Sequence, residues 1–296
     1  MSDWKLYRWT WILDSPLHIG TTPAGILDRT RLYVPARTLW GAITAELARK
    51  QSEQFPDYER VGEELRKKVR FSYLFPAQKM DGNWYPWLPK YIHDPRNSEV
   101  KGLAWCLRRD EKDEKIIEDR EFRMWLLYTR PATAISPDNE VAEESTLREH
   151  EILLPFSRWG NAVLEKVGLT GYIFINGDNE VLDALAQLPQ LFVGGDIRHG
   201  QGWLSRERTL VEENQFFGYE VHTQNVDYPE IYTSHLLAHT LINECIQISG
   251  NIESFSGRDM VQGWNALSSI GHGWVPGSVL TEPRKFSLHD QGFWTL

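Results

Sequence analysis

The residues best suited to chemistry lie in FVGGDIRHGQGWL, residues 192–204. Gly194, Gly195, Gly200 and Gly202 surround Arg198 and His199, with Gln201 between the last two glycines. Glycine backbone reaches φ > 0 and lets another chain approach closely. Bare amides beside an arginine and a histidine suit a phosphate or a sugar hydroxyl. The same composition also suits a tight connection with no ligand. Two common nucleotide patterns do not fit. A phosphate loop needs GxxxxGK[ST], whereas Gly195 is followed by Gly200-Gln201-Gly202. A dinucleotide fold places GxGxxG between an early strand and a helix. This loop follows a helical pattern and leads into a strand pattern.

A second group sits in SPLHIGTTPAGILDRTRLYVPAR, residues 15–37. Asp28 is a lone carboxylate that can position a divalent metal or an attacking hydroxyl. It equally suits a turn, or an ion pair with Arg29 or Arg31. Arg29, Arg31 and Arg37 flank a helix start, where amides and dipole favour an anion. Solvated surface arginine is the alternative. His18 and Gly20 share a turn, and His18 suits either a general base or a backbone hydrogen bond. His235 and His239 are four residues apart in a helical pattern, but no acid lies between them as in HExxH, so ordinary helix histidines are expected. Ser157, Ser205 and Ser278 lie in no nucleophile-elbow pattern. Cys106 and Cys245 are far apart with no CxxC partner, so buried thiols are expected rather than a disulfide or zinc site.

These groups need elements to hold them. WKLYRWTWIL (4–13) alternates and reads as a strand. Pro35 starts a helix in which Leu39, Ala42, Ile43 and Leu47 share one face. Residues 51–68 read as a charged helix and 70–77 as a short strand. Residues 81–97, with prolines and aromatics, read as a loop. The charged 108–122 reads as an exposed helix or mobile insertion. MWLLYTRPATAI and LREHEILLPF read as strands around the turn SPDNEVAEES. TGYIFING (170–177) reads as a strand. Residues 179–193 read as a helix with Leu182, Leu185 and Leu188 on one side, followed by the glycine loop and a strand. Residues 228–248 look helical, and 249–296 look like short strands and loops. The expected fold is α+β: a β-α-β-β-α-β core over 1–213 with an insertion at about 51–130, then 214–296 as an extension or a second small half.

The chain has 296 residues, 41% apolar and 25% charged, enough for one large domain or two ordinary ones. Thirteen tryptophans supply core, or stacking and interface surface. The net charge is −9, but it is divided: residues 1–109 carry +6 and 110–296 carry −15. A local basic patch can hold phosphate whatever the total. The acidic remainder suits docking to a basic neighbour. The aromatics of 84–89 suit an interface anchor or a local core. No apolar run is long enough for a membrane helix, and MSDWKLYRWTW lacks a signal-peptide core, so a cytoplasmic protein is expected.

GGDIRHGQGWL resembles the C-terminal glycine-rich loop of the RAMP superfamily, the RNA-binding subunits of CRISPR effector complexes. SPLHIG followed by LYVPARTLWGAITAEL resembles that family's opening strand, PLHIG turn and P-x-S/T-L-x-G-A helix. TAISPDNEVAEESTLREHEILLPF resembles its mid-domain strand pair. GRDMVQGWN and GWVPGSVL resemble the ending of its cap-type subunits. The four matches touch most of the chain except roughly 51–130. The resemblance implies a ferredoxin-like, RRM-related core. It implies a non-catalytic subunit of a type III-like antiviral ribonucleoprotein, holding crRNA, in the cap role its 5′ tag. The implied RNA contacts are His18, Gly20, Arg29, Arg31, Arg37, Gly194, Gly195, Arg198, His199, Gly200, Gln201 and Gly202. The implied partners are crRNA, target RNA and other effector subunits including a large signalling subunit, with no cofactor, no resident metal and no membrane. An alternative within the family is a backbone-type subunit that cuts target RNA through Asp28 with a divalent metal. A further alternative is a crRNA-processing endoribonuclease using His18 or His199.

Overall fold

The computed structural model describes residues 3–52, 54–92, 102–109, 112–138, 140–144, 146–158, 164–177, 179–242, 246–258 and 267–296. Strand β1 (Trp4–Leu13) lies in the middle of the main sheet. It buries Trp4, Leu6, Trp9, Trp11 and Leu13. A short β2 (Leu27–Asp28) precedes helix α1 (Ala36–Gln51), which begins after Pro35 at φ −62°. A proline costs nothing there, because the first helical amides have no partner within the helix. Leu39, Ile43 and Leu47 are buried on one α1 face, as the spacing implies, and Ala42 is half-buried. Helix α2 (Tyr58–Lys68) starts at Asp57, whose side chain accepts the Arg60 amide at 2.9 Å.

The strand expected over 70–77 is two strands, β3 (Val69–Phe71) and β4 (Phe75–Met80). Between them the Ser72 hydroxyl accepts the Tyr172 amide, and Leu74 exchanges two backbone bonds with Val34. The chain thus leaves one ladder to serve another. The loop expected over 81–97 is, in its described part, strand β5 (Asn83–Ile92). It pairs with β4 through Asn83–Pro86, and with β6 (Gly102–Arg109) through Trp87–Ile92. The charged 108–122 continues into β7 (Lys112–Glu118) and helix α3 (Asp119–Leu126). Its few apolar residues decide this: Ile117 and Phe122 are buried, and Phe122 stacks on Trp105 with ring centroids 4.5 Å apart.

Next come β8 (Leu127–Ala132), β9 (Arg148–Leu153), β10 (Phe156–Ser157), β11 (Glu165–Lys166) and β12 (Gly168–Asn176). Helix α4 (Asn179–Ala186), β13 (Gln190–Phe192), a 3-10 turn at Ile197–His199, β14 (Trp203–Arg206) and β15 (Val211–Glu213) follow. The main sheet runs β13-β14-β1-β12-β4-β5-β6-β7, with β15 on β1 and β3 on β12. β1 is antiparallel to both β12 and β14, from Trp4↔Asn176 to Ile12↔Gly168 and from Trp11↔Arg206 to Leu13↔Leu204. A separate sheet has the order β2-β9-β8.

Among the described residues, those between 215 and 295 supply the nine strands of a second sheet and no helix. The helix expected over 228–248 is replaced by the strand Glu230–His235, where buried Ile231, Thr233 and His235 alternate with more exposed neighbours. That period of two is a strand's. His235 and His239 therefore do not share a helix face. His235 bonds the Tyr219 hydroxyl and the Pro89 carbonyl, and His239 bonds Tyr73 and Glu253. One continuous apolar core runs from Trp4 to Trp294 and includes Leu39, Ile173, Ile231 and Phe286. Cys106 is buried, as expected, and Cys245 lies outside the described residues. Among the described residues, no helix is long and apolar enough to cross a membrane.

Candidate nucleic-acid interface

The glycine loop is seated on the PLHIG turn. Gly195 donates its amide to the His18 carbonyl at 2.9 Å, and Gly202 donates to the Pro16 carbonyl at 2.8 Å. Gly194 has φ +89°, and a Cβ there would collide with the His18 carbonyl. Gly202 has φ +75°, and its Cβ would collide with the Val193 carbonyl. Both positions require glycine twice over, for conformation and for space. Gly200 (φ +79°) has open space around the site of a Cβ, so only its conformation favours glycine. The turn is held from the other side by β9: Leu17 and Leu153 exchange backbone bonds at 2.9 and 2.8 Å. His18 Nδ1 donates to the Glu151 carbonyl at 2.8 Å.

Rigid elements bracket the loop. Arg206 on β14 donates to the Leu185 and Ala186 carbonyls at the end of α4, and its guanidinium lies over Trp9 and Trp11. Burial pulls Arg206 down to about 10. It still binds those carbonyls as a cation at neutral pH, fixing α4 against β14.

At the tip, Ile197, Arg198, His199 and Gly200 are exposed. Arg198 has no partner among the described residues, and His199 Nδ1 lies 3.4 Å from Asp196. Gln201 is buried, and its Oε1 has no hydrogen-bond partner among the described residues. Beside the loop, Thr38, Gly41, Ala42, Ala45 and Arg49 of α1 line a groove of ≈ 270 Å³, closed by Phe192, Gly194 and Ile197. Small α1 side chains leave this space open. It runs from apolar walls to the Arg49 guanidinium, which also pairs with Glu46.

The first-loop residues divide. His18 lies at the glycine loop, whereas Gly20 bridges Thr30 within the first loop, with the His18 side chain nearest the site of a Gly20 Cβ. Arg29 is exposed. Arg31 instead points into the molecule, pairing with Glu253 and donating to the Tyr33 hydroxyl at 3.3 Å. Burial alone would lower its guanidinium; Tyr33 and Glu253 outweigh this and hold it above the ordinary value. Arg37 donates to Gln291 at 3.0 Å, facing the C-terminal strands. Asp28 is half-exposed, with Oδ2 3.3 Å from His150 Nδ1. The His150 ring stands edge-on to His18, centroids 5.7 Å apart. Register explains the meeting: Asp28 and Arg130 are both Cα partners of His150, from β2 and β8. His150 escaped sequence reasoning because nothing local pairs residues 28, 130 and 150. The small face of α1 was legible as Thr38-x-x-Gly41-Ala42-x-x-Ala45 but was passed over for the apolar face.

A buried network lies behind the first loop. His239 bonds the Tyr73 hydroxyl through Nδ1 and Glu253 through Nε2, and Glu253 also takes Arg31. Burial holds His239 below the ordinary histidine value. Burial alone would raise Glu253, but the His239 hydrogen bond and the Arg31 charge hold it below the ordinary carboxylate value. The network ties the segment before α1 to the C-terminal strands. Of the ending motifs, most of GRDMVQGWN lies outside the described residues, while Ser278 of GWVPGSVL is buried and donates to the Val275 carbonyl at 2.8 Å.

No family model and no curated protein matches this chain. Among solved structures it is similar to a chain of the type III-B Cmr-beta complex bound to cognate target RNA and AMPPnP. The TM-score is 0.55 at 14% identity, over 93% of this chain and 85% of that one. A chain of the same complex bound to cognate target RNA gives 0.55 at 13%, over 92% and 86%. The protein thus has an α+β, sheet-rich fold like that of chains in type III-B CRISPR complexes.

Proposed function

We propose that this protein is a non-catalytic crRNA-binding subunit of a type III CRISPR ribonucleoprotein, in the cap position that grips the 5′ tag. The observation that carries the reading is the glycine loop. Its outer residues Arg198, His199 and Gly200 face solvent beside the α1 groove, while its inner glycines are spent on seating it. A rigid loop that presents a cation and bare backbone to an adjacent groove suits a sugar–phosphate chain. The fold likeness to chains of RNA-bound type III-B complexes supports this, as does the sheet order. Counting β3 and β4 as one, the strands run β14-β1-β12-β3/β4, antiparallel, with α1 and α4 as connections. That is the order of a ferredoxin-like β-α-β-β-α-β module. Gly200, Arg198, His199, Arg29 and His18 form the RNA-facing set, and Arg31 and Arg37 act behind it. In this reading the RNA sequence is read by pairing with its target. The large signalling subunit and other effector subunits are its protein partners.

One observation favours a second reading. Asp28 is accessible and lies against His150, so a carboxylate stands at the RNA face where target cleavage would need one. A divalent metal would be its helper. Asp28→Ala in the assembled complex separates the two. If target cleavage stops while assembly and RNA content persist, the protein is a nuclease subunit. Unchanged cleavage leaves the binding role.

A further inference from the structure

We infer that Trp203 and the two-stranded β10–β11 ribbon extend the glycine loop into a platform for unpaired nucleotides. Bases stack on Trp203 and Phe156, and Arg158 and Lys166 take the phosphates. This rests on the RNA reading and gives that site its ligand class, single-stranded rather than duplex RNA. Each of the four side chains is next in sequence to a buried residue, so the alternation of an extended strand points it away from the core. Trp203 is 43% exposed beside buried Leu204, and Phe156 is 44% exposed beside buried Ser157. Arg158 follows the same Ser157, and Lys166 precedes buried Val167.

Contacts tie these residues to the glycine loop. Phe156 and Lys166 are register partners across the ribbon. Lys166 Nζ lies 3.3 Å from Asp14 Oδ1, and the Asp14 amide donates to the Trp203 carbonyl at 3.0 Å. The Trp203 amide donates to the Ser15 hydroxyl at 2.9 Å. Trp203 directly follows Gly202, whose amide is seated on the Pro16 carbonyl. Residues 14–16 therefore anchor both the loop and the aromatics. A single exposed aromatic needs no explanation, but two on one anchor, with two cations beside them, do.

Charge selects the occupant. Arg158 is exposed and has no hydrogen-bond or ion-pair partner among the described residues. Lys166 is more than half exposed, and a surface ion pair such as its bond to Asp14 is weak enough to exchange for phosphate. The neighbouring carboxylates are engaged. Asp14 holds Lys166, Glu207 pairs with Lys79, and Glu165, the partner of buried Ser157, accepts from Gln78 at 3.4 Å. Residues 159–163 lie outside the described residues and carry no charged side chain in the sequence. Exposed aromatics stack on any free base face, and a duplex offers none, because its bases stack on one another.

The test measures binding of the purified full chain to fluorescein-labelled oligouridylate by anisotropy. Trp203→Ala and Phe156→Ala should each weaken binding by at least about fivefold. Trp203→Phe keeps a stacking face and should keep most of the affinity. Arg158→Ala and Lys166→Ala should each reduce the salt slope of log K by about 0.7. Annealing the probe to oligoadenylate should abolish the dependence on Trp203. Melting temperatures within about 2 °C of wild type separate a lost contact from a lost fold. Full affinity in both aromatic-to-alanine variants, while Arg198→Ala weakens binding, overturns the platform and leaves the RNA reading standing. Absence of RNA binding by the wild-type chain overturns both. Loss of a protein subunit from the complex on Trp203→Ala, with RNA affinity unchanged, makes the patch a protein interface and overturns the proposal.

Discussion

Gly202→Ala and Gly200→Ala form a matched pair that tests how the glycine loop is seated. The two residues have φ +75° and +79°, so an added methyl incurs the same left-handed cost, about 1 kcal/mol. They differ in surroundings. At Gly200 a Cβ meets open space, whereas at Gly202 it overlaps the Val193 carbonyl. That carbonyl cannot move alone, because Val193 N–H donates to the Gly202 carbonyl at 2.9 Å and Gly202 N–H donates to Pro16 at 2.8 Å. Overpacking against fixed backbone costs about 1–3 kcal/mol, and each loosened hydrogen bond about 1 kcal/mol more. Gly202→Ala should therefore lose roughly 2–4 kcal/mol beyond Gly200→Ala, which itself loses about 1 kcal/mol. Urea unfolding followed by tryptophan fluorescence reads both. Equal losses, within about 0.5 kcal/mol, would refute the claim that the loop docks on the PLHIG turn by close backbone contact.

Three other outcomes follow from the same geometry. Arg198→Ala should weaken RNA binding, reduce the salt slope of log K by about 0.7–1 and leave stability within about 0.5 kcal/mol; an unchanged slope in a salt titration places the RNA elsewhere. Asp28→Ala should leave RNA content and target cleavage by the purified complex unaltered; lost cleavage assigns it the nuclease role. Acid should destabilise the fold through the buried network. His239 and Glu253 both titrate below their ordinary values when folded, so the unfolded chain binds more protons. Their contribution is full above about pH 6.5 and is lost as pH falls through their lowered folded values. Thermal melts between pH 8 and 5 should show this slope, and His239→Asn should flatten it above pH 5; a slope that persists in the variant assigns it to other groups.

Where burial follows a local period, the fold was legible. β1, α1 and β12 lie within a residue or two of their expected bounds, because Trp9, Trp11, Leu39 and Ile43 repeat at strand or helix spacing. It was not legible where long-range pairing overrides local signals. Pro86 and Pro89 argue for a loop, yet β5 tolerates both, because Pro86 ends the β4 pairing and the Pro89 carbonyl accepts a bond from buried His235. The acidic and basic run before Trp125 hides the two buried residues, Ile117 and Phe122, that draw it into the sheet and core. Residues 230–235 alternate in burial as a strand does, but two of the three buried residues, Thr233 and His235, are polar, so no period of two shows in the sequence. At the site, the glycine loop and His18 could be singled out from residue types alone. Arg31's inward turn could not, because its acceptor Glu253 lies more than two hundred residues away and only the fold brings them together.

The central claim is that this protein holds crRNA, and co-purifying RNA tests it most directly. The complex would be isolated through a tag on the full chain, and its bound RNA sequenced. Short RNAs of uniform length that begin with a repeat-derived tag are the expected result. No RNA, or a random cellular mixture, would contradict the claim and leave the glycine loop as a structural turn.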